Sequence, residues 1–119
     1  MIYIIEDDIS VRRSFELFLE AAGLEFKSFE SAESFLSDGK ATIEDLLLLD
    51  INLPLMNGLD LLSALERERK HITAIIITAF DDAHTRERCK RYGVKAFLRK
   101  PVDGAALIDL IKFNYLGED

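Results

Sequence analysis

Four consecutive leucines, Leu46 to Leu49, run without a polar break into Asp50, and Pro54, Asn57 and Gly58 follow closely. A continuous apolar run of this length, bounded by turn formers, predicts a strand buried on both faces of a parallel sheet. Such a strand needs helices over both faces, so the rest of the chain must alternate strands and helices. Asp50 then falls at the carboxyl end of the strand, the edge where open α/β sheets bind ligands. Taken alone, an aspartate there is equally the first solvated residue or a cap. Its neighbours in the fold must decide.

The alternation is present from end to end. Residues 1–5 are a short apolar strand closed by Glu6, Asp7 and Asp8. Ser10 can cap a helix over about 11–22, in which Val11, Phe15, Phe18, Leu19 and Ala22 share a face and Gly23 ends the run. Residues 24–29 alternate like a half-exposed edge strand. Ser31 caps a short second helix that ends near Gly39. After the 45–50 strand, Leu59, Leu62 and Leu65 give the third helix its buried stripe. Residues 72–78 are a β-branched strand, and Asp81 or Asp82 caps a helix reaching Tyr92. A short strand at 95–98 and a helix capped by Asp103, with Leu107, Leu110 and Ile111 inward, complete the series. Right-handed crossovers and the amphipathic second strand favour a flavodoxin-like α/β fold. It is a (βα)5 three-layer sandwich whose parallel five-stranded sheet runs in the order 2-1-3-4-5.

Composition narrows the function classes. The 119 residues suit one domain, with neither a repeat nor a linker visible. A net charge of −7 argues against direct nucleic-acid binding. No apolar run is long enough to span a membrane, and no secretory signal is visible, so a cytoplasmic location is expected. Cys89 has no partner for a disulfide, and His71 and His84 form no metal-ligand pattern with it.

The expected topology brings five groups to one sheet edge. Glu6 and Asp7 follow strand one, Asp50 strand three, Thr78 strand four and Lys100 strand five. Converging carboxylates repel unless a cation sits among them, and hard oxygen ligands suit Mg²⁺. A hydroxyl and an ammonium opposite the acids would cradle an anionic group. Phosphoryl transfer to an aspartate uses all of these parts.

At these residues the chain resembles the receiver domain of a two-component response regulator. The resemblance covers about residues 3–116 and rests on Ile4-Ile5-Glu6-Asp7-Asp8, Leu49-Asp50-Ile51-Asn52-Leu53-Pro54 with Asn57-Gly58, Ile77-Thr78-Ala79 and Phe97-Leu98-Arg99-Lys100-Pro101. It implies that Asp50 is the phosphoacceptor, with Thr78 and Lys100 contacting the phosphoryl group. It implies a Mg²⁺ site of Glu6, Asp7, Asp50 and the Asn52 backbone carbonyl, with Asp8 a weaker candidate. Phe97 matches the switch aromatic that moves with Thr78. The donor would be a phosphohistidine on a sensor histidine kinase or a phosphotransfer protein. The domain would catalyse only its own phosphorylation and dephosphorylation, and would signal through its helix 4, strand 5 and helix 5 surface.

Departures and rivals refine the expectation. Helix four is unusually polar, with only Thr85, Cys89 and Tyr92 forming an inward stripe. Phe80 puts a bulky ring near the site entrance. Ile108, Phe113 and Leu116 lie beside Arg86, Arg88, Lys90 and Arg91, a surface suited to a homodimer on phosphorylation or to an acidic partner. No output domain is expected within residues 1–119. A flavodoxin-like electron carrier would need a phosphate-binding first loop, and Glu6-Asp7-Asp8 would repel one. An aspartate-nucleophile phosphohydrolase would carry its nucleophile on the first strand. A degenerate receiver acting only as an interaction module is the alternative within the family.

Overall fold

Runs that are apolar at every position form the inner strands, and runs apolar at every third or fourth position form the covering helices. The computed structural model describes residues 1–118. In order, the elements are β1 (Ile2–Ile5), α1 (Ile9–Ala21), β2 (Phe26–Phe29), α2 (Ala32–Asp38), β3 (Leu46–Asp50), α3 (Gly58–Arg67), β4 (Thr73–Thr78), α4 (Ala83–Lys90), β5 (Ala96–Arg99) and α5 (Gly104–Ile111). A π-helical segment, Lys112–Leu116, extends α5. The strands form one parallel sheet in the order β2-β1-β3-β4-β5, as expected. Among the described residues no helix is long and apolar enough to cross a membrane.

Strand alternation sorts the core into two layers. Tyr3, Ile5, Leu47, Leu49, Ala74 and Ile76 pack with Phe35, Leu61, Leu62, Leu65 and Cys89 on the α2, α3 and α4 side. Ile2, Ile4, Leu46, Leu48, Ile75 and Ile77 pack with Phe15, Leu19, Leu107 and Ile111 on the α1 and α5 side. β3 is buried along its whole length, including Asp50. Fully burying a leucine contributes about 1.5–3 kcal/mol, so this strand anchors the sheet.

Several local expectations need correction. Asp8, rather than Ser10, caps α1: its carboxylate accepts from the backbone N–H groups of Ser10 and Val11. A carboxylate at this place also favours the positive end of the helix dipole. Ala22 is exposed, and α1 stops one residue before it. β2 begins at Phe26, and α4 ends at Lys90, before Tyr92. Asp82 caps α4 by accepting from the Thr85 N–H, which leaves Asp81 free for another role. Ile108 is half-buried against the α1 and α5 layer, whereas Phe113 stays exposed.

Gly58 brings α3 close under the acidic strand end. A Cβ there would lie 2.8 Å from the Ile51 Cα and 3.0 Å from the Asp50 carbonyl oxygen. Only glycine permits this approach of helix start to loop. The Asn57 and Asp60 side chains close a capping box around the same turn.

Candidate functional site

Parallel pairing places the carboxyl ends of β1, β3, β4 and β5 along one edge. Asp50 ends β3, and Ile77, its partner on β4, precedes Thr78. Glu6 follows β1 directly, and its backbone N–H donates to the Phe29 carbonyl, which holds that strand end against β2. The Lys100 N–H donates to the Thr78 carbonyl at 2.9 Å, tying the loop after β5 to β4. The Lys100–Pro101 peptide is cis.

These backbone constraints deliver three buried polar side chains, Glu6, Asp50 and Thr78, each no more than 5% exposed. The Lys100 ammonium bridges the two acids, 3.0 Å from Asp50 Oδ2 and 2.6 Å from Glu6 Oε1. Its bond to Asp50 is a well-formed hydrogen bond, whereas Glu6 Oε1 is close but off the line of one. Glu6 Oε2 accepts the Asp8 N–H at 3.1 Å, and Asp50 Oδ1 accepts the Asn52 N–H at 3.0 Å. Arg12 reaches from α1 to donate to the Glu6 carbonyl at 2.8 Å.

Burial is the main cause that raises the Glu6 carboxyl, to about 7; Lys100 and the Asp8 N–H pull it back and the Asp50 carboxylate adds to the rise. Burial pulls the Lys100 ammonium down, but the nearby Glu6 and Asp50 carboxylates outweigh this and its net direction is up. The arrangement is a charged lysine between two acids, of which Glu6 takes up a proton more readily than a free glutamate.

The Thr78 hydroxyl is fully engaged. It donates to the Phe80 carbonyl at 3.1 Å, and accepts from the Phe80 N–H at 3.1 Å and from Asn52 Nδ2 at 3.2 Å. The sequence suggests for Asn52 a metal-binding backbone carbonyl and a side chain able to orient a water; its carboxamide bond to Thr78 carries no signal there. Phe80 is 74% exposed beside this turn.

Asp7 is exposed at the mouth and lines an open pocket with Ile51, Asn52, Leu53, Asn57 and Thr85. Carboxylate oxygens of Glu6, Asp7 and Asp50 all lie within 4.8 Å of one another. This hard-oxygen set, with one acid solvated and two buried, fits a small divalent cation such as Mg²⁺, which takes one or two carboxylates and keeps several waters.

Phe97 is half-buried against the α2, α3 and α4 side of the core. The Arg86 guanidinium carbon sits 4.7 Å from its ring centroid. Arg86 is also held by both carboxylate oxygens of Asp81, at 2.5 and 2.8 Å. The basic rim expected on α4 therefore reduces to Arg88, Lys90 and Arg91, which are exposed. Neither the ring contact nor the ion pair is readable from spacing. His71 and His84 are exposed, as expected, and burial pushes the Cys89 thiol up to about 11.

Comparison with known proteins bears on the family and the fold. The family model for the response regulator receiver domain matches residues 2–112. The chain is 35% identical over 111 residues to nodulation protein W of Bradyrhizobium diazoefficiens, a match covering 93% of this chain and 49% of that protein. It is 33% identical to the polar-differentiation response regulator DivK of Brucella abortus, covering 98% of this chain and 96% of that one. A response regulator receiver domain protein from Methanospirillum hungatei, of known structure, superposes with a TM-score of 0.87 at 28% identity, over 98% of this chain and 93% of that one. The chain spans about half the length of nodulation protein W and of the transcriptional regulatory protein FixJ of Azorhizobium caulinodans, and nearly all of DivK.

Proposed function

The chain belongs to the response regulator receiver family, and from that premise we propose that Asp50 accepts a phosphoryl group from a phosphohistidine on a sensor histidine kinase or phosphotransfer protein. A receiver domain is a switch of two-component signalling. The observation that carries the finer reading is the Lys100 ammonium lying against both Asp50 and Glu6 at the carboxyl edge of the sheet.

In the proposed step an Asp50 carboxylate oxygen attacks phosphorus in line. The P–N bond to the donor histidine breaks, the ring nitrogen keeps the electron pair, and a mixed anhydride forms on Asp50. Lys100 turns from the carboxylate to the transferring group and neutralises part of its charge. Asn52 holds Asp50 Oδ1 through its backbone N–H, which leaves Oδ2 as the nucleophilic oxygen once Lys100 turns. Glu6, Asp7, Asp50 and the Asn52 backbone would hold Mg²⁺, which when bound supplies further charge neutralisation to the phosphoryl oxygens. Positioning and electrostatics account for most of the rate. Beyond its own phosphorylation and dephosphorylation, the domain catalyses nothing in this reading.

The new charge of about −1.5 to −2 on Asp50 draws Thr78 toward it, and Phe97 follows. The α4, β5 and α5 face is the surface that then changes for a homodimer or an acidic partner. Residues 1–119 act as one receiver unit that does not itself bind nucleic acid, working in the cytoplasm.

Incubation with Mg²⁺ and a small phosphodonor, followed by intact mass, tests the reading. Addition of one phosphoryl group that requires Mg²⁺ and is lost in Asp50→Asn is the expected result. Undiminished addition in Asp50→Asn would overturn it.

A further inference from the structure

α4 is weakly anchored by ordinary means. Its sequence Ala-His-Thr-Arg-Glu-Arg-Cys-Lys buries one side chain, Cys89. A helix with so little apolar contact is free to shift unless polar contacts hold it. Arg86 supplies such a contact twice over. Its guanidinium lies on the Phe97 ring at 4.7 Å, within reach of a cation–π attraction. The same group is clamped side-on by Asp81, in the bidentate geometry that fixes a guanidinium's plane as well as its position.

Asp81 stands three residues after Thr78, in the loop that leads into α4. The turn between them is closed by the paired bonds between the Thr78 hydroxyl and the Phe80 backbone. A hydroxyl has one proton, and here it goes to the Phe80 carbonyl. To donate to any group on Asp50, Thr78 must release that carbonyl and loosen the turn that carries Asp81.

We propose that Asp81 and Arg86 form a latch that holds Phe97 in its resting orientation, and that release of the Thr78–Phe80 turn opens it. Arg86 is a positioning residue: it touches neither Asp50 nor the acids beside it, and acts through the ring. The chain of contacts runs Thr78, Phe80, Asp81, Arg86, Phe97, with each link a hydrogen bond, a peptide bond or a stacked contact. The latch opposes the active state, so opening it raises the population competent to bind a phosphoryl group and tightens apparent affinity.

The link to Asp50 rests on the phosphoacceptor reading above, but the latch itself does not, and the test separates them. Arg86→Met keeps a long stem over the ring without the charge. Asp81→Asn leaves Arg86 in place but weakens its clamp. Ring signals of ¹³C-labelled phenylalanine in the unligated protein report Phe97 directly, assigned through Phe97→Leu. Both variants are expected to shift and broaden the Phe97 signals, and the double variant to do no more than Arg86→Met alone. Apparent affinity for beryllofluoride with Mg²⁺ is expected to tighten about fivefold in Arg86→Met, the size of effect an exposed cation–π contact allows. Phe97 signals identical in wild type and both variants would overturn the latch, as would additive effects of the two substitutions. Ring signals that respond while no protein binds beryllofluoride would uphold the latch and count against the phosphoacceptor reading instead.

Discussion

Thr78 and Phe80 hold one another through a two-way bond: the hydroxyl donates to the Phe80 carbonyl and receives the Phe80 N–H, both at 3.1 Å. The bond orders the loop at a place where burial cannot, because Phe80 is exposed. A net hydrogen bond contributes about 1 kcal/mol. The Phe80 amide is therefore expected to exchange about fivefold faster in Thr78→Val than in wild type. Beryllofluoride is expected to speed the same amide in wild type. Equal exchange in Thr78→Val and wild type would show that the bond does not order the loop.

Phe80 also bears on how long a phosphoryl group survives. Its ring can neither donate to nor accept from a hydrolytic water, and it stands beside the turn that holds Thr78. Crowding by the ring favours a slow loss of phosphate. Phe80→Glu would put a carboxylate there that can orient the water, shortening the lifetime about tenfold or more, whereas Phe80→Leu changes it less. Decay of the phosphorylated mass measures this, and equal decay in all three proteins would show that residue 80 does not govern water access.

The three acids carry unequal burdens. Glu6 and Asp50 share Lys100, but Asp7 contributes charge to the same 4.8 Å cluster without that bridge. Removing its charge relieves repulsion at the cost of a ligand. Asp7→Asn is expected to melt about 2–4 °C higher without Mg²⁺, equivalent to roughly 0.5–1 kcal/mol in a domain of this size. Mg²⁺ should then raise its melting temperature less than that of wild type. Identical Mg²⁺-induced shifts would remove Asp7 from the metal site.

Two glycines should differ in what a substitution costs. A Cβ on Gly58 meets backbone, the Ile51 Cα at 2.8 Å, which cannot move without moving the loop that holds Asp50. Gly58→Ala is expected to cost about 1–3 kcal/mol. A Cβ on Gly104 meets the Phe18 ring at 2.6 Å, a half-buried side chain that lines an open groove rather than backbone. Gly104→Ala should cost less, helped by the lower entropy of alanine in the unfolded chain. Urea midpoints decide, and a larger loss at Gly104 would contradict the reading.

The pH dependence should include a contribution from Glu16. The Ser28 hydroxyl donates to its carboxylate at 2.6 Å, and this bond first, then Arg13, holds the carboxyl below its ordinary 4.5. A lowered carboxyl contributes stability that is present above the unfolded value and lost as pH falls through the folded one. Ser28→Ala should therefore destabilise the protein at pH 7 more than at pH 3. An equal loss at both would show that the bond does not favour the charged form.

Much of this molecule is decided locally. A run such as Leu46 to Leu49 has no solvated face in any conformation, so β3 had to be central, and a central parallel strand demands helices on both sides. That argument also sends Glu6, Asp7, Asp50, Thr78 and Lys100 to one edge, because parallel strands share a direction. Asp8 rather than Ser10 caps α1 because both side chains are good caps, and a two-residue shift of the helix start decides between them. What the sequence could not contain is which donor meets which acceptor across elements. Lys100 between Glu6 and Asp50, Asn52 on Thr78, and Arg86 between Asp81 and Phe97 depend on distances set by how helices and loops settle on the sheet. Hydrophobic periodicity reports burial, which is a property of a residue and its near neighbours. A hydrogen bond or a stacked ring is a property of two residues in space, and only the packed tertiary structure determines that pair.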